Sequence, residues 1–199
     1  LVKLETPVLL TKKLIFNANA GRSPSSIDTS TMKWKLTPAA QRYEMEISLN
    51  DPKFLKSTRV VTDKSMLAYA PKALGTYYYR VRAVSTDSLP SDYSEIGKMD
   101  TKVGSPKLAK IEPITLKNSD PNSTAPATAF NLSWTEVSLA NKYLVHVSDN
   151  ESFTNPEILT AQENKVNYNT SKPGNYFFRV IASDTSQTIV SPPSNSESS

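Results

Sequence analysis

GTYYYRVRA (residues 75–83) is the stretch that decides the fold. Three tyrosines followed by two arginines have the composition of an aromatic and basic binding patch. Read at period two, they separate. Tyr77, Tyr79, Val81 and Ala83 point one way; Tyr78, Arg80, Arg82 and Val84 point the other. That alternation is the signature of a strand with one buried face. The stretch also occurs twice, because GNYFFRVIA (174–182) repeats it 99 residues later.

The duplication extends outward from there. Trp34 matches Trp134 and Tyr43 matches Tyr143, both at an offset of 100. Phe54 matches Phe153, Tyr69 matches Tyr168 and Gly75 matches Gly174 at an offset of 99. One deletion and one insertion in turns account for the drift. The chain therefore holds two homologous units of about 100 residues. Gly104 and Pro106 punctuate the junction, so the expected division is 1–103 and 104–199.

Other stretches alternate in the same way. MKWKL (32–36) places Met32, Trp34 and Leu36 inward, and FNLSW (130–134) does the same with Phe130, Leu132 and Trp134. YEMEISL (43–49) places Tyr43, Met45, Ile47 and Leu49 inward, with Glu44, Glu46 and Ser48 outward. No stretch has the periodicity of a long amphipathic helix. Short strands between turn signals predict an all-β sandwich in each unit. Residues 17–30 and 117–129 are expected to form extended polar loops, and the last strand of the second unit, within NSESS (195–199), is polar and short.

With these residues in place, each unit resembles a fibronectin type III domain. The likeness rests on Trp34 and Trp134 on the second strand and Tyr43 and Tyr143 at the start of the third. It rests also on the Tyr-x-aromatic-Arg-Val-x-Ala run and on the Ser-rich turns Ser91–Ser94 and Ser191–Ser194. The resemblance implies two tandem immunoglobulin-like (fibronectin type III) antiparallel β-sandwiches, with Tyr77 as the corner tyrosine whose hydroxyl bonds nearby backbone. The spacing Y-x-x-x-I-S-x-x-x-x-F from Tyr43 looks like that of bacterial surface and envelope repeats. An extracytoplasmic location (cell surface, periplasm or secreted) in a bacterium is the expectation that follows. The start at Leu1 suggests a fragment of a longer protein.

Composition narrows the chemistry. There is no cysteine and a single histidine, His146, so thiol catalysis, thiolate metal sites and disulfides are excluded. His146 sits on the outward parity of its strand, between Val145 and Val147, without a nucleophile and acid in register beside it. SDPNST (119–124) and SDNES (148–152) are oxygen-rich but lack the ligand spacing of a calcium loop. No catalytic, cofactor or metal residue is assigned. Residues 1–104 carry sixteen Lys/Arg against ten Asp/Glu, and residues 105–199 carry seven against nine. The basic residues alternate with acidic and apolar ones, so a nucleic-acid face is not expected. No apolar run approaches the length of a membrane span.

The informative contrast lies on the outward face of the third and sixth strands. In the first unit it carries Glu44, Glu46, Arg80 and Arg82, a set suited to cross-strand ion pairs. At the matching positions the second unit carries Leu144, His146, Phe177, Arg179 and Ile181. A charged face has become largely apolar, the kind of surface that marks a contact. Three uses stand open: a protein partner, packing against a neighbouring domain or loop of the same chain, and a tolerated surface. The expected function is a non-catalytic binding or scaffold module that mediates protein contact or adhesion and spaces neighbouring domains. The alternative is an accessory spacer or polysaccharide-binding module of a secreted or envelope enzyme. For polysaccharide, Tyr78, Tyr93 and Phe177 are the outward or loop aromatics.

Overall fold

A computed structural model describes residues 1–19, 21, 28–116 and 127–198. The chain divides into two compact units. One comprises Leu1–Phe16 and Ser25–Lys102; the other comprises Asn17–Pro24 and Val103–Ser199. Among the described residues there are strands and no helices, so none is long and apolar enough to cross a membrane.

The strands that begin in the first unit are β1 (Lys13–Ala18), β2 (Ser30–Lys33), β3 (Arg42–Leu49), β4 (Thr58–Thr62), β5 (Met66–Tyr69), β6 (Thr76–Val84) and β7 (Gly97–Val103). One sheet runs β1-β7-β6-β3-β4 and the other pairs β2 with β5. An antiparallel bridge from Leu9 to Trp34 extends the second sheet. In the second unit the strands are β8 (Pro113–Leu116), β9 (Ala127–Ser133), β10 (Lys142–Ser148), β11 (Glu157–Ala161), β12 (Lys165–Thr170), β13 (Phe177–Ser183) and β14 (Glu197–Ser198). They form sheets ordered β11-β10-β13-β14 and β12-β9-β8. Both units are immunoglobulin-like β-sandwiches whose strand pairs are antiparallel, β1 beside β7 excepted.

The core is where period two places it. Trp34, Tyr43, Met45, Tyr79 and Val81 are buried, as are Trp134, Tyr143, Val145, Phe178 and Val180. Each tryptophan meets its tyrosine with ring centroids 5.3 Å apart. The tyrosine hydroxyls also hold the turn before β3 and β10: Thr37 N–H donates to Tyr43 Oη (2.8 Å) and Val137 N–H to Tyr143 Oη (3.0 Å). Both indole N–H groups are buried and have no hydrogen-bond partner among the described residues.

The corner tyrosine behaves as the resemblance implies. Tyr77 Oη donates to Ala73 O (2.9 Å) and accepts from Ala73 N–H (3.0 Å), and Tyr176 Oη donates to Lys172 O (3.0 Å). The Ser-rich turns act as substitutes for a backbone partner. Ser94 and Ser91 hydroxyls accept from Val81 and Ala83 N–H, and Ser194 and Ser191 do so for Val180 and Ala182 (2.8–3.1 Å). These hydroxyls satisfy backbone donors that a sandwich interior would otherwise strand.

Four inward or outward assignments fail at strand ends. Leu36 is 75% exposed because β2 stops at Lys33 and the chain then turns through Thr37. Leu49 is 38% exposed at the last position of β3, whereas outward Ser48 is buried with its hydroxyl on Lys56 O. Val84, expected outward, is buried where Gln41 N–H closes on its carbonyl (3.0 Å). The expected polar loop from residue 17 also overlaps a strand. β1 begins at Lys13, runs through Asn17 to Ala18, and buries Phe16 and Ala18. Residues 127–129 of the second expected loop belong to β9, and 117–126 lie outside the described residues.

The two units differ in where their first strand goes. β1 lies beside β7: Lys98 N–H donates to Lys12 O (2.8 Å) and Gly104 N–H to Ala18 O (2.7 Å). Those bonds advance together along both strands, so the pair is parallel. β8 instead pairs antiparallel with β9. Two residues bear on the difference. Tyr79 Oη donates to Thr11 O at 2.7 Å, anchoring the segment that leads into β1. The ring passes beneath Gly97, where an added Cβ would meet it at 2.3 Å. The matching positions in the second unit are Phe178, which has no hydroxyl, and Glu197, which has a side chain.

Candidate functional site

The outer faces of the two larger sheets correspond in register and are opposite in chemistry. In the first unit Arg59, Glu46 and Arg80 form one row across β4, β3 and β6, and Val61, Glu44 and Arg82 form the next. Arg80 donates to Glu46 from Nε and Nη2 (2.9 and 2.7 Å), and Arg82 donates to Glu44 in the same way (3.0 and 2.7 Å). Arg59 lies within 3.6–3.8 Å of both carboxylates.

Aromatic residues complete this ladder. The Arg80 guanidinium lies over the Phe54 ring at 4.3 Å and over the Tyr93 ring at 4.2 Å. Tyr93 Oη donates to Glu46 Oε1 (2.9 Å). Burial pushes the Glu46 carboxyl up, but the hydrogen bonds from Arg80 and Tyr93 outweigh it and hold the group below its ordinary value. Burial and the Glu46 contact raise the Tyr93 phenol. Tyr93 is thus engaged by the ladder, and Tyr78 is half-buried beside it.

In the second unit the rows read Ile158, His146, Arg179 and Thr160, Leu144, Ile181, with Ser148, Phe177 and Ser198 as a third. The structure thus brings Leu144, His146, Phe177, Arg179 and Ile181 onto one face, each half-buried. Ile158 on β11, 54% exposed, extends it. The single-strand reading missed Ile158 because β11 alternates weakly; its match to Arg59 at offset 99 was the available signal.

Arg179 repeats the pose of Arg80. Its guanidinium lies 4.2 Å over the Phe153 ring, as Arg80 lies over Phe54. Its polar partner differs. His146 occupies the position of Glu46, and Arg179 Nε and Nη2 stand 3.3 and 3.2 Å from His146 Nδ1. Burial, and next the Arg179 charge, lower the His146 pKa. The imidazole is therefore neutral at pH 7, with Nδ1 accepting from the arginine. Among the described residues Arg179 has no carboxylate partner. The face thus holds one uncompensated guanidinium within an apolar surround.

Nothing in this arrangement resembles a reaction centre. His146 has no nucleophile in register, since its row neighbours are Ile158 and Arg179. Among the described residues no group of three His, Asp or Glu side chains converges on a metal position. In SDNES, Asn150 is engaged in its own turn, accepting from Thr154 N–H (3.0 Å) and donating to Asp149 Oδ1 (2.9 Å).

No protein-family model matches the sequence, and no curated protein matches it. Among solved structures the chain is similar to the crystal structure of the chicken CNTN1 FN1–FN3 domains, at 14% identity and a TM-score of 0.38. That likeness covers all of this chain and 66% of the other, so the chain spans slightly under two thirds of its length. It says nothing of ligand or partner, and the assignment of two fibronectin type III-like sandwiches rests on the strand order and register described above.

Proposed function

We propose that the chain is a non-catalytic docking and spacing module of an extracytoplasmic bacterial protein. In this reading the outer face of β11-β10-β13 in the second unit engages a protein partner. The partner presents an apolar segment with one carboxylate among its side chains. The observation that carries the reading is Arg179, stacked on Phe153 and lacking the carboxylate that Glu46 supplies to Arg80 in the same position. A desolvated arginine with aromatic and aliphatic neighbours is the typical centre of an interface. The carboxylate is the group that complements it in both charge and geometry.

The test uses the peptide acetyl-Leu-Glu-Val-amide as probe, titrated into the isotope-labelled full chain and followed by amide NMR shifts. Shifts confined to Leu144, His146, Ile158, Phe177, Arg179 and Ile181 are expected, and the Gln analogue should bind about tenfold more weakly. Phe177→Glu should abolish the response with the fold intact. Equal response to the Glu and Gln peptides, or no response at millimolar peptide, refutes the reading. Unfolding by Phe177→Glu would show the ring to be core.

A further inference from the structure

The two units also differ at the end of the sandwich between β11 and β12, and a deletion explains how. Between Ser48 and Phe54 the first unit has five residues, and between Ser148 and Phe153 the second has four. In the first unit this extra length closes the end. Leu49 and Asn50 lie over Gly75 so tightly that an added Cβ would meet them at 2.6–2.9 Å, and Asn50 Oδ1 accepts from Thr76 N–H (2.8 Å). In the second unit Asp149 replaces Leu49, no counterpart of Asn50 remains, and among the described residues nothing lies within 4 Å of a Cβ on Gly174. A cleft of about 290 Å³ lies between Asp149 and the turn that carries Lys172 and Tyr176. That volume is close to the lower limit of small-ligand sites, about 300 Å³.

Its lining is chemically specific. Tyr168 and Tyr176 form an aromatic wall, with ring centroids 5.9 Å apart. Asp149, Asn155, Glu157 and Lys172 supply the exposed polar lining, with Val147 and Ser148 beneath. Glu157 accepts a hydrogen bond from Tyr168 Oη (3.1 Å), and burial together with that carboxylate pushes the Tyr168 phenol up to about 12. Among the described residues Asp149, Glu157 and Lys172 form no ion pair with one another or with any other group. The first unit keeps the tyrosine pair, Tyr69 and Tyr77, at 5.7 Å. It has Leu49, Lys56, Thr58 and Ala73 where the second has the four polar residues.

Charge of both signs on the lining disfavours a simple ion. A free cation would face Lys172, and a free anion would face Asp149 and Glu157. A ligand without net charge whose groups both donate and accept, with an apolar face for the rings, complements this lining. We propose that this cleft binds a neutral sugar residue of a glycan chain, with its ring against Tyr168 and Tyr176 and its hydroxyls shared among Asp149, Asn155, Glu157 and Lys172. The site differs from the docking face proposed above, which lies on the outer side of β10 and β13; of the rows of that face it shares only Ser148.

The test titrates the isotope-labelled full chain with four neutral disaccharides: cellobiose, maltose, mannobiose and chitobiose. At least one should shift the amides of Asn155, Tyr168 and Tyr176 at millimolar concentration. Asp149→Leu, which restores the filling residue of the first unit, should weaken that binding about tenfold or more without lowering the thermal midpoint. Glu157→Gln, which keeps the shape, should weaken it several-fold and serves if Asp149→Leu perturbs the fold. The proposal is overturned if none of the four shifts those residues, or if both variants bind as the wild type does. It is also overturned if glycine, a zwitterion, displaces the sugar at equal concentration. Loss of sugar binding with peptide docking retained separates this site from the outer face.

Discussion

His146→Glu asks whether the second unit can be made to repeat the ladder of the first. The register is already in place, since His146 faces Arg179 as Glu46 faces Arg80. The aromatic platform is also in place, at 4.2 Å against 4.3 Å. A glutamate at 146 would therefore reach Nε and Nη2 of Arg179 as Glu46 reaches those of Arg80, at 2.7–2.9 Å. A hydrogen bond to a charged group contributes about 1.5–3 kcal/mol, and an exposed pair only about 0.2–1 kcal/mol. In the first unit the Glu46 and Arg80 side chains are 11% and 30% exposed, which favours the upper range. The second unit lacks the other two groups that hold Glu46, because Ile158 stands for Arg59 and Pro193 for Tyr93. Desolvating the new carboxylate without them offsets some of the gain. The net expectation is about 1 kcal/mol of stabilisation, a rise of about 4–8 °C in the midpoint of a 100-residue unit. Amide hydrogen exchange of Val145 and Val180, on β10 and β13, would report that unit inside the intact chain. The variant should also lose the acidic peptide, since Arg179 is then filled from within. A variant that is less stable, or equally stable with peptide binding retained, refutes the pairing argument.

Four further outcomes follow from the same geometry. Because the chain has one histidine, its ring protons titrate without overlap in proton NMR. The midpoint should lie below 6.5 and move up in Arg179→Gln, since the arginine charge is one of the two causes of the depression. A histidine lowered on folding resists protonation in the native state, so the second unit should lose stability as pH falls from about 6.5 through the folded pKa. His146→Gln should remove that slope in pH-dependent melts. Glu46 is depressed in the folded state, so its contribution is full above 4.5 and is lost as acid protonates it. Glu46→Gln should destabilise the first unit by about 2 kcal/mol at pH 7, leave Arg80 and Arg59 short of a partner, and flatten the acid limb of urea melts. Gly97→Ala should cost about 1–3 kcal/mol by driving a methyl into the Tyr79 ring, and denaturant unfolding at unchanged m would show it.

How much of this was legible in the sequence depended on where a residue sits along its strand. Mid-strand positions obeyed period two, because the pleat alone decides the face: Tyr77, Tyr79, Val81 and Ala83 are buried, as are Phe130, Leu132 and Trp134. That Glu44 and Glu46 face Arg80 and Arg82 followed from face and strand order together, whereas the partners Glu44–Arg82 and Glu46–Arg80 are fixed by the register. Leu36, Leu49 and Val84 were misread because a strand's end is set by turn hydrogen bonds that leave no period in the chain. β1 was missed for another reason. Leu14, Ile15 and Phe16 form a continuous apolar run, so parity is hidden although Ile15 is 56% exposed and Phe16 is buried. The five residues of the outer face were located correctly from alternation, but their electrostatics were not. That Arg179 stacks on Phe153 and leans on a neutral imidazole depends on loop geometry between β10 and β11. The cleft depended on a single missing residue, visible in the sequence as an offset change from 100 to 99. Its meaning appeared only once Gly75 and Gly174 were compared in space.

The parallel course of β1 beside β7 has a mechanical consequence. Tension applied along the first unit pulls its first and last strands in opposite directions within one sheet. Their hydrogen bonds are then sheared together, and the Tyr79 link to Thr11 carries load with them. β8 is bonded antiparallel to its neighbour β9, a geometry in which the bonds break in succession. In single-molecule stretching the first unit should therefore yield last and at the higher force, and the second should act as the extensible element of the pair.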